Sequence, residues 1–319
     1  MESPRARRGR PSRPPRTRSL LHVALAALTV VGGTAAGTVY VKAQAHSGKV
    51  AVSSSATASA STSATADGEE SVESVTQAAV DHDALLTAAM KAVSVEDGAD
   101  VSVAVLDLDS GASASYGDGA FDTASIVKVD ILAALLLQAQ DADRHLTAAE
   151  KTYATAMIEN SDNDSASALW RIIGEADGLD TANERLGLTG TEGGDGMLWG
   201  LTQTTAADQL TLLGQVFGDD SELSETSRTY LQGLMGQIAA DQHWGVSAAA
   251  DGSEWALKNG WLARSTTGLW DINSIGRVTV DGRDCLVAVL SNGNSTKTKG
   301  ITLVETTAKA AVRALTGSA

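Results

Sequence analysis

The stretch Phe121-Asp122-Thr123-Ala124-Ser125-Ile126-Val127-Lys128 decides how the chain is read. Asp122 and Thr123 are residue types that cap helices. Behind them run Val129, Ile131, Leu132, Ala133, Ala134, Leu135, Leu136 and Leu137. The helix predicted over 125–140 is apolar almost all round, and such a helix is buried. Ser125 and Lys128 lie three residues apart, on one face of its first turn. A lysine held in low dielectric loses much of its preference for charge, so it can take a proton from a serine hydroxyl. The helix N-terminus favours the negative charge that develops at the serine. The plain alternative is a capping serine followed by a surface lysine. Against it, burying a lysine without a use is costly.

Working outward, Val101–Asp109 alternates with period two and ends at Ser110-Gly111, a strand followed by a turn. Residues 113–116 supply a returning strand, and Val75–Val93 has helical apolar spacing. Helical patterns fill the middle at 151–157, 165–173, 179–186, 205–217 and 225–238. Strand character returns at 255–262, 268–280 and 285–291, and an amphipathic helix over 302–315 closes the chain. Strands at both ends with helices between them predict an α+β domain over 75–319. Both terminal segments would share one antiparallel sheet, the middle would form a helical lobe, and a ligand would bind in the cleft between them.

The N-terminal flank is of another kind. Residues 1–45 carry seven arginines and Lys42 against Glu2, a net of +7, which leaves −22 of the total of −15 for residues 46–319. An acidic body argues against nucleic-acid binding, which needs a cationic surface. The arginines precede an apolar run over 20–41, and Ala43-Gln44-Ala45 offers a small-x-small cleavage site. That run is also long enough to span a bilayer, with the positive end kept in the cytoplasm. Cleaved signal and membrane anchor both stay open. Either places the body outside the cytoplasm, secreted or held at the outer face of the membrane. Residues 46–74, rich in Ser, Ala and Thr, read as a flexible linker.

Other chemistries find little support. Cys285 sits alone in an apolar run and reads as a small buried hydrophobe. The five histidines (His22, His46, His82, His145, His243) lack metal-ligand spacing, so no metal and no cofactor is expected. Six tryptophans, among them Trp244, Trp255, Trp261 and Trp270, read as core or cleft wall, with glycan stacking as the alternative.

Two further motifs follow Ser125-x-x-Lys128. Ser161-Asp162-Asn163 offers a proton relay, a loop brace and an amide-binding side chain; its plain alternative is a helix-capping cluster. Lys258-Asn259-Gly260 stands at the end of a short strand, where Lys258 can hold a carboxylate and a nearby backbone N–H can complete an oxyanion hole with that of Ser125. The alternative there is an Asn-Gly hairpin turn. The three in this order resemble the Ser-x-x-Lys, Ser-Asp-Asn and Lys-Thr-Gly set of class A β-lactamases and penicillin-binding proteins, and two match to the letter. The Asp109-Ser110-Gly111 turn and Thr204-Thr205-Ala206-Ala207-Asp208 are similar as well; the latter looks like the start of the helix after the family's omega loop.

The resemblance implies an exported serine hydrolase that forms an acyl-enzyme on Ser125 with a β-lactam or cell-wall peptide, acting as a monomer. Lys128 would help to activate Ser125, and Ser161 would deliver a proton to the departing nitrogen. Asn163, Lys258 and Gly260 would position the substrate, with Lys258 facing its carboxylate. The N–H groups of Ser125 and Trp261 would hold the oxyanion. A D-alanyl-D-alanine peptidase, or a non-catalytic binder of cell-wall peptides or antibiotics, are the alternatives. The sequence departs from the pattern at Asn259, where a polar side chain stands in for threonine near the carboxylate, and at Trp261, which is usually small. It also lacks the omega-loop Glu-x-x-Leu-Asn that activates the deacylating water. Glu192 is the best-placed replacement and Asp195 the second, with solvated loop carboxylates as the plain alternative.

Overall fold

The structure is a computed structural model and describes residues 80–317 apart from Ser253. The basic head, the apolar run over 20–41 and the linker lie outside the described residues. Among the described residues, no helix is long and apolar enough to cross a membrane.

Helix α1 (His82–Met90) is capped by Asp81, whose carboxylate accepts from Ala84 N at 2.9 Å. Strands β1 (Asp100–Asp107) and β2 (Ser113–Tyr116) form a hairpin. At its turn the Asp107 carboxylate accepts from Asp109 N, Ser110 N and Ser110 Oγ. A two-residue strand β3 (Phe121–Asp122) leads through a 3₁₀ turn, Ala124–Ile126, into helix α2 (Val127–Asp141). Helices α3 (Ala148–Glu159), α4 (Asn163–Ile173) and α5 (Glu175–Leu186) follow. Strand β4 (Gln203–Thr204) pairs with β3 and precedes α6 (Ala206–Phe217) and α7 (Glu225–Met235). The chain then makes β5 (Trp255–Ala263), β6 (Trp270–Val280), β7 (Arg283–Asn294) and α8 (Lys297–Thr316).

The main sheet is antiparallel in the order β2-β1-β7-β6-β5, so both chain ends build it, as the α+β pattern predicts. In β7 the side chains alternate between two cores. Cys285, Val287 and Val289 pack with Leu86 of α1 and Val304, Ala308 and Ala311 of α8, while Leu286, Ala288 and Leu290 face the helical lobe. Burial on both faces explains the unbroken apolar run of β7. At the centre of the lobe, every side chain of α2 from Val127 to Leu137 is buried, two charged ones included.

The helix starts differently from its sequence reading. Neither Asp122 nor Thr123 caps α2, which begins without a side-chain cap bond. The Asp122 carboxylate is instead drawn to the guanidinium of Arg264 and the amide of Gln203. Ser125 accordingly lies in the 3₁₀ turn just before the helix proper. The Asn259-Gly260 pair likewise makes no turn: β5 runs through both, and its hairpin closes later, where Arg264 N donates to Leu269 O at 2.8 Å.

Candidate active site

Five segments meet at Ser125. The turn that carries it is strained, since Ala124 holds φ +48°, a left-handed value that non-glycine residues seldom adopt. Two features fix the turn in place. Gly260 of β5 lies so close that a Cβ there would stand 2.7 Å from Thr123 O, 2.9 Å from Ser125 N and 3.0 Å from Ile126 N. Only glycine lets the strand approach this near. Opposite Gly260 in the ladder is Asn273 of β6. Its buried amide donates to Asp122 O at 2.9 Å and Thr123 O at 3.0 Å, while its Oδ1 accepts from Ser291 N of β7 at 3.1 Å. Sequence reasoning missed Asn273; nothing separates it locally from any other polar residue of a strand.

Lys128 is fully buried. Its amine donates to Ser125 Oγ at 3.1 Å, Ser161 Oγ at 3.0 Å, Ser161 O at 2.7 Å and Asn163 Oδ1 at 2.8 Å. Burial pushes its pKa down to about 7, partly opposed by the charge of Asp162. No carboxylate hydrogen-bonds the amine. A neutral Lys128 at this spot can accept the Ser125 proton.

Ser161-Asp162-Asn163 carries both of its sequence readings at once. Asp162 caps α4 by accepting from Ser165 N at 2.7 Å, while Ser161 and Asn163 turn to Lys128. Ser161 takes φ +56°, which reverses the chain between α3 and α4 and aims its hydroxyl into the cleft. That hydroxyl also accepts from Lys258 Nζ at 3.1 Å, so Ser161 bridges two lysines. Lys258 is fully buried too, and burial followed by repulsion from Lys128 lowers its pKa well below the ordinary lysine value. Its amine also donates to Asn259 O at 2.9 Å.

Alternation along β5 decides the two departures in the third motif. Lys258 and Gly260 face the helical lobe, so Asn259 and Trp261 point to the α8 side. The Asn259 side chain is buried and does not offer itself to a carboxylate in the cleft, as its sequence position suggests. It donates instead to Gln242 O at 2.8 Å and Trp244 O at 3.1 Å. The Trp261 indole packs against Trp244, with ring centroids 6.0 Å apart, and leaves the lobe side of β5 open. The backbone of Trp261 follows Gly260 and stays beside the Ser125 turn.

Neither candidate base makes a direct contact with this cluster. Glu192 and Asp195 are exposed, and neither hydrogen-bonds Ser125 or Lys128. Glu192 is held by its backbone to Gln203, on the outer side of β4 from Asp122. Beside Lys128 stands Trp199, one of the six tryptophans read from the sequence as core or cleft wall. Its ring centroid is 5.0 Å from the amine, and its indole N–H donates to Ser167 Oγ at 3.1 Å. It belongs to a short 3₁₀ turn, Trp199–Leu201, in the long loop between α5 and α6. Unforeseen is Asp130, fully buried two residues after Lys128 and bonded to Gln209 at 3.4 Å. Burial raises its pKa to about 7; the bond to Gln209 lowers it and the nearby charge of Asp208 raises it. Among the described residues, no group of His, Cys, Asp and Glu could hold a metal ion.

The three motifs thus converge on one serine. The sequence profile of the Beta-lactamase enzyme family matches residues 85–150 and 146–315. The chain belongs to the β-lactamase enzyme family. Solved structures share its fold at low identity. PBP-A is 21% identical, with a TM-score of 0.64, covering 74% of this chain and 97% of its own. The TLA-1 extended-spectrum β-lactamase is 17% identical, with a TM-score of 0.63 over 73% of this chain and 98% of its own. A representative of class A β-lactamase from Bacteroides cellulosilyticus is 15% identical, with a TM-score of 0.62 over 74% and 98%. No curated protein matches the sequence. The family and its α+β fold are thus those implied by the three motifs.

Proposed function

We propose that this protein is an exported serine enzyme that is acylated on Ser125 by β-lactams or a related cell-wall amide and releases the acyl group slowly. The observation that carries this reading is the buried Lys128 amine, 3.1 Å from Ser125 Oγ, with no carboxylate bonded to it. Lys128, neutral, takes the hydroxyl proton as Ser125 Oγ attacks the amide carbonyl carbon. The N–H groups of Ser125 and Trp261 receive the oxyanion. As the C–N bond breaks, Ser161 gives its proton to the departing nitrogen and regains one from Lys128, which restores the starting charges. Lys258, bonded to Ser161 Oγ, steadies that relay. Asn163 orients Lys128 and offers its amide to the substrate.

Deacylation requires a base that activates water from outside this relay. Glu192 and Asp195 are exposed, and an indole stands beside Lys128. This arrangement favours the penicillin-binding peptidase reading over rapid antibiotic hydrolysis. One solved relative of the same fold, a mutant of PBP-A, is described as an acyl-enzyme complex with penicillin G, at 20% identity and TM-score 0.64. Export rests on the arginine-rich head and the apolar run over 20–41.

The test is a fluorescent penicillin followed by intact-protein mass spectrometry over time. A covalent adduct absent from Ser125→Ala and persisting for many minutes is the expected result. No Ser125-dependent adduct would leave only the binder reading; an adduct cleared within a turnover or two would restore efficient hydrolysis.

A further inference from the structure

We infer that Lys297, held over the Trp261 indole, is the cation that recognises the substrate carboxylate. The inference rests on the acylation chemistry proposed above and assigns one specificity determinant to it.

Lys258, the motif residue expected to face a carboxylate, is fully buried, bonded to Ser161 Oγ and Asn259 O, and disfavoured as a cation by burial and by Lys128. Arg264, at the end of the same strand, is held between the buried carboxylates of Asp122 and Asp271. Lys299 pairs with Glu96, Arg277 with Asp284 and Arg283 with Asp107. Like Lys258, Lys297 forms no ion pair among the described residues, but it is only half-buried. Its amine lies 4.1 Å from the Trp261 ring centroid and 6.0 Å from that of Trp244.

That placement is not one that helix energetics selects. Lys297 opens α8, and a cation at a helix N-terminus opposes the macrodipole. Two indole faces offset this cost and hold the amine beside the strand that carries the oxyanion N–H. The half-buried amine sits in a chain of net −15, yet its three donors are turned to no acid. β5 is an edge strand, so its free edge joins the face of Lys258 and Gly260 to the face of Trp261 and Lys297. An acyl donor lying along that edge, with its carbonyl between Ser125 N and Trp261 N, can place an anionic group on Lys297 while its departing nitrogen stays near Ser161. Asn259 serves the same end indirectly, since its amide fixes the Trp244 carbonyl and with it the second indole.

The test compares a fluorescent penicillin bearing its free carboxylate with the methyl ester of the same compound, each at a series of concentrations, by labelling rate. The wild type is expected to take the acid about ten- to a hundredfold better than the ester, the range of a hydrogen bond to a charged group. Lys297→Met should erase that preference by weakening binding of the acid, so that the acid labels no better than the ester, and Lys297→Arg should restore it. A variant-free arm uses the wild type alone: raising salt from about 20 mM to 1 M should slow the acid and spare the ester. The inference is overturned if Lys297→Met keeps the acid-to-ester ratio of the wild type, or if the wild type has no preference. Failure of the acylation chemistry looks different, because neither probe would then label the wild type in a Ser125-dependent way, and the inference falls with it.

Discussion

Replacing Asn273 by alanine isolates the device that holds the Ser125 turn. The side chain makes three hydrogen bonds: two from Nδ2 to the carbonyls of Asp122 and Thr123, and one accepted from Ser291 N. All lie in buried surroundings, where each lost bond costs about 1 kcal/mol and a stranded partner costs about 1–3 kcal/mol. Thr123 O retains a contact from Ile126 N at 3.3 Å, which spares part of that cost. The loss is therefore about 3–4 kcal/mol. For a domain of this size that lowers the melting temperature by about 6–15 °C. The same bonds restrain the residues directly before Ala124, whose left-handed φ costs about 1–3 kcal/mol and persists only while its surroundings impose it. Once freed, the turn should relax and carry Ser125 N away from the backbone of Trp261. The expected outcome is a folded variant whose limiting acylation rate by fluorescent penicillin falls about ten- to a hundredfold while its non-covalent affinity is kept. Asn273→Asp should fail similarly, because it sets carboxylate oxygens against two carbonyls. An Asn273→Ala protein that acylates at the wild-type limiting rate would refute the claim that these bonds align the oxyanion site.

Four other outcomes follow from the geometry. With the Lys128 pKa held near 7 and the free amine as the proposed proton acceptor, acylation should rise about tenfold per pH unit below 7 and level off above about 8, as stopped-flow labelling would show. Gly260→Ala pushes a methyl group onto three backbone atoms of the Ser125 turn, so acylation should fall at least about a hundredfold in a protein that circular dichroism shows to be folded. Asp130 binds its proton in the folded state up to about pH 7 but only to about 3.8 when unfolded, so its contribution to stability is lost as pH rises between those values. Asp130→Asn should match the wild type in urea unfolding near pH 3.5 and exceed it by up to about 4 kcal/mol above pH 7. Glu192→Gln should leave the lifetime of the acyl-enzyme unchanged by mass spectrometry, since that carboxylate is exposed and bonded to neither Ser125 nor Lys128.

The parts of the site legible in the sequence are those whose meaning is local. The apolar surround of α2 announces a buried lysine because burial is written into residues 126–137 themselves. The period-two pattern at 101–107 and the apolar run of β7 announce a sheet for the same reason. The parts that were not legible depend on what lies across the cleft. Asn259 looks like a substrate contact until the register of β5 turns it toward Gln242 and Trp244. Asn273 is 151 residues from the carbonyl of Asp122 that it holds, and no spacing rule reaches that far. Asp122 suits a cap by residue type, yet Arg264, distant in sequence, claims it.

The question of the deacylating base shows the same limit most sharply. Counting back from Thr204-Thr205 singles out Glu192, but a count assumes that the loop takes the path it follows in relatives. Here Glu192 is fixed by two backbone bonds to Gln203, each 2.9 Å, and that pairing sets it one strand beyond Asp122. The loop then needs the next residues to return to the nucleophile. It does so over Gly193, Gly194 and Gly196, and delivers Trp199 and Gly200 to the turn. The segment that reaches the lysine is therefore aromatic and small where hydrolysis would call for a carboxylate. An indole adds to the burial that lowers the Lys128 pKa to about 7, but it cannot accept a proton from water. On the reaction proposed above, this loop thus furnishes burial for acylation and no carboxylate at the lysine for deacylation, and a long-lived acyl-enzyme is the outcome that mass spectrometry should find.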